Sequence, residues 1–326
     1  MADVTDRVDR GQLILITGLV VALLLVVLVV LLNAVIYTEN IGTREVDGDS
    51  REPIGFQNEV IEVTGSMIDA ENEAEHDDEE FDQVEAAAHD GIVRSNELLS
   101  QQYAETGVVA EINTTDDALE DAAIEGHLIR QTDETQDFSV DGPGPHWYIA
   151  EDVNDTKIRA FELIIDGAEP EPADIEEAFY VSVQETGDGD EWRLYAYDDG
   201  QDIELAVANG TDDPEDPTVL DCSDSDAPTI DLTDGLVDGE PCSGLSWANE
   251  LDGNYDVEFE NGDEAWGTFD ATVVGDEPAV EDLPGPHEVE EPYAVPAVYA
   301  LELDVSFYTA DITYEATVRV APGEPA

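Results

Sequence analysis

Three kinds of hydrophobic periodicity divide this chain of 326 residues. From Leu13 to Ile36 the sequence LILITGLVVALLLVVLVVLLNAVI carries no charge, and only Thr17, Gly18 and Asn33 interrupt its apolar run. As a helix rising about 1.5 Å per residue it would be about 36 Å long, enough to cross a hydrocarbon core of about 30 Å. A cleaved secretory signal would have an apolar stretch of only about 7–15 residues, so the run predicts a transmembrane helix seated in a lipid bilayer. Further on, Val60, Val63, Met67, Ala70, Ala74, Phe81, Val84, Ala88 and Leu98 recur at spacings of three and four. That spacing predicts a helix of about fifty residues with one apolar face, broken in phase at Asp77 and Ser95. From Gly107 onward the period changes to alternation. Ten segments rich in Val, Ile, Tyr, Phe and Trp, from Val108–Ile112 to Ile312–Val320, predict short strands. Asp198-Asp199-Gly200 and Asn261-Gly262 read as hairpin turns between them.

The fold class expected from these periods is α+β: a transmembrane helix continuing into a helical stalk, then a β-rich, sandwich-like ectodomain. Within the β-rich part, Pro143-Gly144-Pro145-His146 recurs as Pro284-Gly285-Pro286-His287, and Ala160-Phe161-Glu162-Leu163 is echoed by Ala300-Leu301-Glu302-Leu303. Gly126 and Gly267 stand at matching distances upstream. The matches read as a duplicated β-module, or as a common turn followed by ordinary strand composition. The division expected is a leader at 1–12, the apolar span at 13–36, linker and stalk at 37–106, and modules at 107–183 and 253–326 flanking an insert at 184–252.

Charge changes the picture more than any other composition term. Ten Lys and Arg stand against 82 Asp and Glu, a formal charge of −72. Nucleic acid is excluded as a partner, because phosphate contacts require cations that are scarce here. So many carboxylates superimposed on regular apolar patterns suggest the surface of a halophile's protein. In molar salt the Debye length falls to about 3 Å and their repulsion is screened.

The leader ends in Asp9-Arg10-Gly11-Gln12 directly before the apolar run. This resembles the leader of archaeal type IV pilins and archaellins, where a basic residue and Gly precede the cut of a prepilin peptidase. The resemblance covers about 30 residues and departs from the archaellin pattern where Leu13-Ile14-Leu15-Ile16 replaces the usual Gly-rich stretch. It implies cleavage between Gly11 and Gln12 and a bare apolar helix able to pack against like or related pilin subunits in a filament. Without cleavage the same run is an ordinary permanent anchor, and the chain a membrane-held extracellular binding module.

Arg7 and Arg10 before the span nearly balance Arg44 and Arg51 after it, so basic residues do not orient it. The rest of the chain does. It carries nearly all the acids, both cysteines and the glycosylation sequons starting at Asn113, Asn154 and Asn209, which favour a cytoplasmic N-terminus and an extracellular C-terminal domain. Cys222 and Cys242 bracket an acidic Pro/Gly-containing loop and point to a disulfide rather than a metal site.

Catalytic motifs are missing. No phosphate loop, dinucleotide fingerprint, nucleophile elbow or paired-histidine zinc motif occurs, so neither enzymatic activity nor a cofactor is expected. Glu73 and His76 have the spacing of a di-iron ligand pair, but His89 follows Ala86 and so provides no second pair. Asp221, Asp224, Asp226 and Asp231 suggest a calcium loop, yet Thr229 and Gly235 occupy the places of its Gly and Glu.

Overall fold

The computed structural model describes residues 51–74, 81–119, 122–154, 157–187, 191–209, 217–222, 225–245, 254–275, 283 and 292–324. The expected transmembrane segment 13–36 and the leader residues Arg10, Gly11 and Gln12 lie outside them. No described helix is long and apolar enough to cross a membrane. The expected α+β class with a helical stalk is corrected: antiparallel sheet dominates the described chain, and the helices pack on it.

The chain forms two compact units, Met1–Asn58 and Glu59–Ala326, and the second holds both sheets. In place of one helix of about fifty residues there are two, α1 (Arg51–Asn72) and α2 (Phe81–Ala104). Glu59 accepts hydrogen bonds from Gln102 Nε2 at 3.2 Å and Tyr103 Oη at 2.9 Å. A straight helix would hold residues 44 positions apart about 66 Å away from each other, so this part of α1 and α2 is an antiparallel hairpin. Gly91 allows the close crossing, since a Cβ there would lie 2.2 Å from Met67 Sδ. The buried stripe also differs in phase from expectation. It runs in steps of four through Val60, Thr64, Ile68 and Asn72, and through Val84, Ala88 and Ile92, while Val63 and Leu98 face solvent. Two polar residues, Thr64 and Asn72, belong to it, and the sheet supplies partners for Asn72, which donates to Val298 O at 3.0 Å and accepts from Val298 N at 2.9 Å.

Fifteen strands follow among the described residues. β1 (Val109–Ile112), β2 (Ala123–Gln131), β4 (Ile158–Ala168), β9 (Thr229–Asp231), β10 (Leu236–Val237), β11 (Glu240–Pro241), β13 (Ala265–Val274), β14 (Tyr293–Tyr308) and β15 (Thr313–Val320) form one sheet. Its order is β1-β14-β2-β13-β4-β9-β10-β11, with β15 on the other side of β14 from β1. β3 (Trp147–Val153), β5 (Phe179–Glu185), β6 (Glu191–Asp198), β7 (Ile203–Ala208), β8 (Thr218–Val219) and β12 (Tyr255–Glu260) form the second, in the order β3-β12-β5-β6-β7-β8. A third short helix, α3 (Asp116–Leu119), follows β1.

The inner faces of the two sheets share one core, centred on Phe138, Trp147, Phe161, Phe179, Phe259 and Phe269. Phe259 and Phe269 meet edge to face at 5.1 Å, and Trp147 Nε1 donates to Phe138 O at 2.8 Å. Buried aromatic polar atoms need such partners, and edge-on contacts suit the ring quadrupoles.

This arrangement also corrects the duplicated module. The segments 107–183 and 253–326 do not pack as separate copies: β12 lies between β3 and β5, β13 lies between β2 and β4, and the intervening segment adds strands to both sheets. Asn261-Gly262 is likewise no hairpin, because it carries the chain from β12 in one sheet to β13 in the other. Asn261 has the expected positive φ, 53°, but its side chain fixes the corner by donating to Glu176 O and Ala178 O, each at 2.8 Å.

Candidate functional site

Three features of the second unit combine polar side chains with accessible space or burial. The first is a pocket of about 320 Å³ at the end of α1, lined by residues of β2, β4 and β13 and by Pro322 and Gly323. Arg159 of β4 forms its base and is only 1 % exposed. Its Nε donates to Tyr299 O at 2.7 Å, and its two terminal nitrogens donate to Pro322 O at 2.6 Å and Val298 O at 3.1 Å. The planar fork explains the choice of Arg, since one rigid cation reaches three carbonyls on two separate pieces of backbone. Asp69 stands 3.6 Å away, and the Tyr299 ring faces the guanidinium at 5.5 Å. Burial pulls the Arg159 pKa down, and the neighbouring carboxylate opposes that effect.

The strand is deformed to make this clamp. Ala160 sits at φ 50°, donates its N–H to Gly323 O at 2.8 Å, and coincides with a register shift between β4 and β13. Around the clamp, Arg130 is paired with Asp270, and Glu162 has its carboxyl pKa raised by burial and then by Asp231 and Asp270. Each nitrogen of Arg159 therefore has a hydrogen bond committed to the fold. What remains facing the space is mainly carboxylate, which suits a cation or a hydroxyl-rich molecule better than a phosphate.

The second feature lies on the outer face of the other sheet. Glu258 of β12 stands across from Tyr148 on β3 and Ser182 on β5. Glu260, two residues along on the same face, contacts His146 Nδ1. Burial first, and then the charge and hydrogen bond of Glu260, push the Glu258 carboxyl up to about 7. Beside it, Arg193 bonds Glu176 and Glu191 at 2.8 Å and lies over the Tyr180 ring. This face can hold and release a proton near neutrality, and the Ser182 hydroxyl beside Glu258 donates to Glu191 at 2.8 Å.

The third is an open, polar groove of about 820 Å³ where β1, β14 and β15 run side by side, and Asn113, Thr114 and Thr115 form part of its wall. The opposite face of these strands is apolar and packs under α2, with Tyr103 edge-on to Phe307 at 6.0 Å.

Among the residues marked out by sequence, Cys222 and Cys242 are bonded, with Cα atoms 5.7 Å apart. Asn113 is exposed, and Asn154 and Asn209 are half-buried at the ends of β3 and β7. His76, Asp224, Thr156, Thr211 and the second Pro-Gly-Pro lie outside the described residues. Among the described residues, no group of three or more His, Cys, Asp or Glu is placed to hold a metal ion. Sequence reasoning missed Arg159 and Glu258. A signal for Arg159 existed, since it is one of few cations in a very acidic chain and stands in the apolar stretch Ile158–Ile165. Glu258 had none, because carboxylates are everywhere.

Residues 7–130, which include Arg10-Gly11-Gln12, the apolar run, both long helices and most of β2, match a family of unknown function (DUF7261). No curated protein and no solved structure shows significant similarity to the chain.

Proposed function

We propose that the protein is a pilin-like, single-pass cell-surface subunit of a halophilic archaeon, with its N-terminus in the cytoplasm and its acidic β-rich domain outside the cell. On this reading it is a structural or adhesive component of a type IV pilus-like system rather than an enzyme. The observation that carries the reading is Arg10-Gly11-Gln12 set directly against 24 uncharged, mainly apolar residues, Leu13–Ile36. A prepilin-peptidase-like enzyme would cut between Gly11 and Gln12, and the freed helix could then pack against other subunits. The Cys222–Cys242 bond supports the outside placement, because such bonds persist in oxidising compartments.

A second reading has its own observation. The residues expected to form a stalk instead include an antiparallel hairpin packed on the first sheet, which suits a module held permanently at the membrane and making contacts there. Mass spectrometry of the mature surface protein separates the two. A chain starting at Gln12 supports the pilin-like reading. A chain starting at Met1 or Ala2 overturns it in favour of the permanent anchor.

A further inference from the structure

We propose that Asn113 is the N-glycosylated residue of this protein and that its glycan lies in the groove between β1, β14 and β15. The proposal rests on the outside placement of the domain argued above. Three sequons occur, at Asn113, Asn154 and Asn209, and the fold treats them differently. Asn154 and Asn209 are half-buried, whereas Asn113 is exposed just beyond the end of β1. Its backbone N–H is held by Asp304 O at 2.8 Å, so the strand fixes the residue while the side chain stays on the surface.

Asn113 Oδ1 accepts from Thr115 N at 3.3 Å and from Thr115 Oγ1 at 3.0 Å. Both bonds of this turn fall on the oxygen, and the amide nitrogen takes no part in it. The hydroxyl two residues on, which the sequon requires, is therefore engaged with the amide that would be modified. Thr115 O in turn accepts from Ala118 N and Leu119 N, tying the turn to α3.

The groove supplies room and chemistry for a saccharide. Glu111, Ser306, Glu315, Asp304 and Thr317 place carboxylates and hydroxyls in adjacent rows of the three strands, and Tyr308 adds a ring. Such a surface can accept and donate hydrogen bonds to sugar hydroxyls. β1 is the edge strand at this end of the sheet among the described residues, with β14 as its neighbour. A glycan at its end would hinder edge-to-edge pairing with another chain, a hazard that exposed strands present.

The donor required is a lipid-phosphate-linked oligosaccharide, and the catalyst a separate membrane transferase. Asn113 Nδ2 forms a bond to the anomeric carbon as the bond from that carbon to the phosphate oxygen breaks. The lipid phosphate leaves with the electron pair, and the proton lost from Nδ2 passes to a base of the transferase.

The test uses full-length protein isolated from cells, cleaved with an acidic-residue protease and analysed by mass spectrometry. A saccharide mass on the Asn113 peptide is expected in the parent and in Thr115→Ser. It should be lost completely in Asn113→Asp, which retains the turn acceptor, and in Thr115→Ala, and should persist in Asn154→Gln and Asn209→Gln. Circular dichroism in molar salt checks that the Asp variant folds like the parent. A bare Asn113 in the parent overturns the proposal. Protease shaving of intact cells distinguishes the reasons: a shaved domain with bare Asn113 leaves the surface reading standing, and a protected domain removes both.

Discussion

Replacing Glu258 with Gln tests whether a half-buried carboxyl is held in its acid form by the outer face of the second sheet. The group lies between Tyr148 and Ser182 in register, with Glu260 on the same face, and its carboxyl is pushed from 4.5 up to about 7, burial being the largest cause. Between those two pH values the folded chain keeps a proton that the unfolded chain has released. Stability therefore falls as pH rises through this window and levels off above it. At about 1.4 kcal/mol per pH unit, the interval sets a ceiling of about 3 kcal/mol. The part due to Glu260 and Glu191 is screened in molar salt, whereas desolvation is not. An effect of about 1–2 kcal/mol is then expected under conditions where the protein folds. Gln imitates the protonated acid and cannot ionise. Denaturant unfolding in molar potassium chloride should give parent and variant nearly equal stability at about pH 4.5, with the variant ahead at about pH 8. Acids that do not interact with Glu258 are common to both proteins and cancel in the difference, and molar salt weakens the coupling to Glu260 and Glu191. Unfolding free energies that stay parallel across this range would refute the assignment.

Arg159→Lys keeps the charge but cannot reach the carbonyls of Val298, Tyr299 and Pro322 together; a loss of about 2 kcal/mol or more in denaturant unfolding is expected, with equal stability counting against the clamp. Gly267→Ala would set a Cβ 2.0 Å from Ile164 O at a φ of 155°, so a loss of about 3 kcal/mol, read from the same curves, should follow. Removing the Cys222–Cys242 link by the double Ser variant should lower stability by about 3 kcal/mol for its separation of 20 residues, and reductant should do the same to the parent but nothing to the variant. Far-UV circular dichroism of the full-length protein in detergent should show sheet in molar salt and lose it on dialysis into dilute buffer; unchanged spectra would mean that the −72 charge is compensated within the fold.

What this sequence determined by itself is local. Alternation of apolar and polar residues located β1, β2, β4–β7 and β12–β15, because a strand with one buried face must alternate wherever it pairs. The two cysteines found each other because no other thiol competed. Which strand lies beside which was decided only in three dimensions. Asn261-Gly262 supplies the same positive φ whether the chain doubles back or crosses to the other sheet, and the carbonyls of Glu176 and Ala178 settle the matter. The apparent repeat failed for the same reason: similar strands can be interleaved in common sheets as readily as stacked in copies, since pairing depends on edges and register rather than on strand composition. The helical stripe was legible as helix but not as a hairpin. Its buried positions include the polar Thr64 and Asn72, and the Asn72 amide is satisfied only because tertiary packing brings the Val298 backbone to it. Arg159 and Glu258 belong to the same class. A charge in a strand is ordinary on a wet face, and only the folded backbone determines that one is clamped by three carbonyls and the other desolvated beside a second acid.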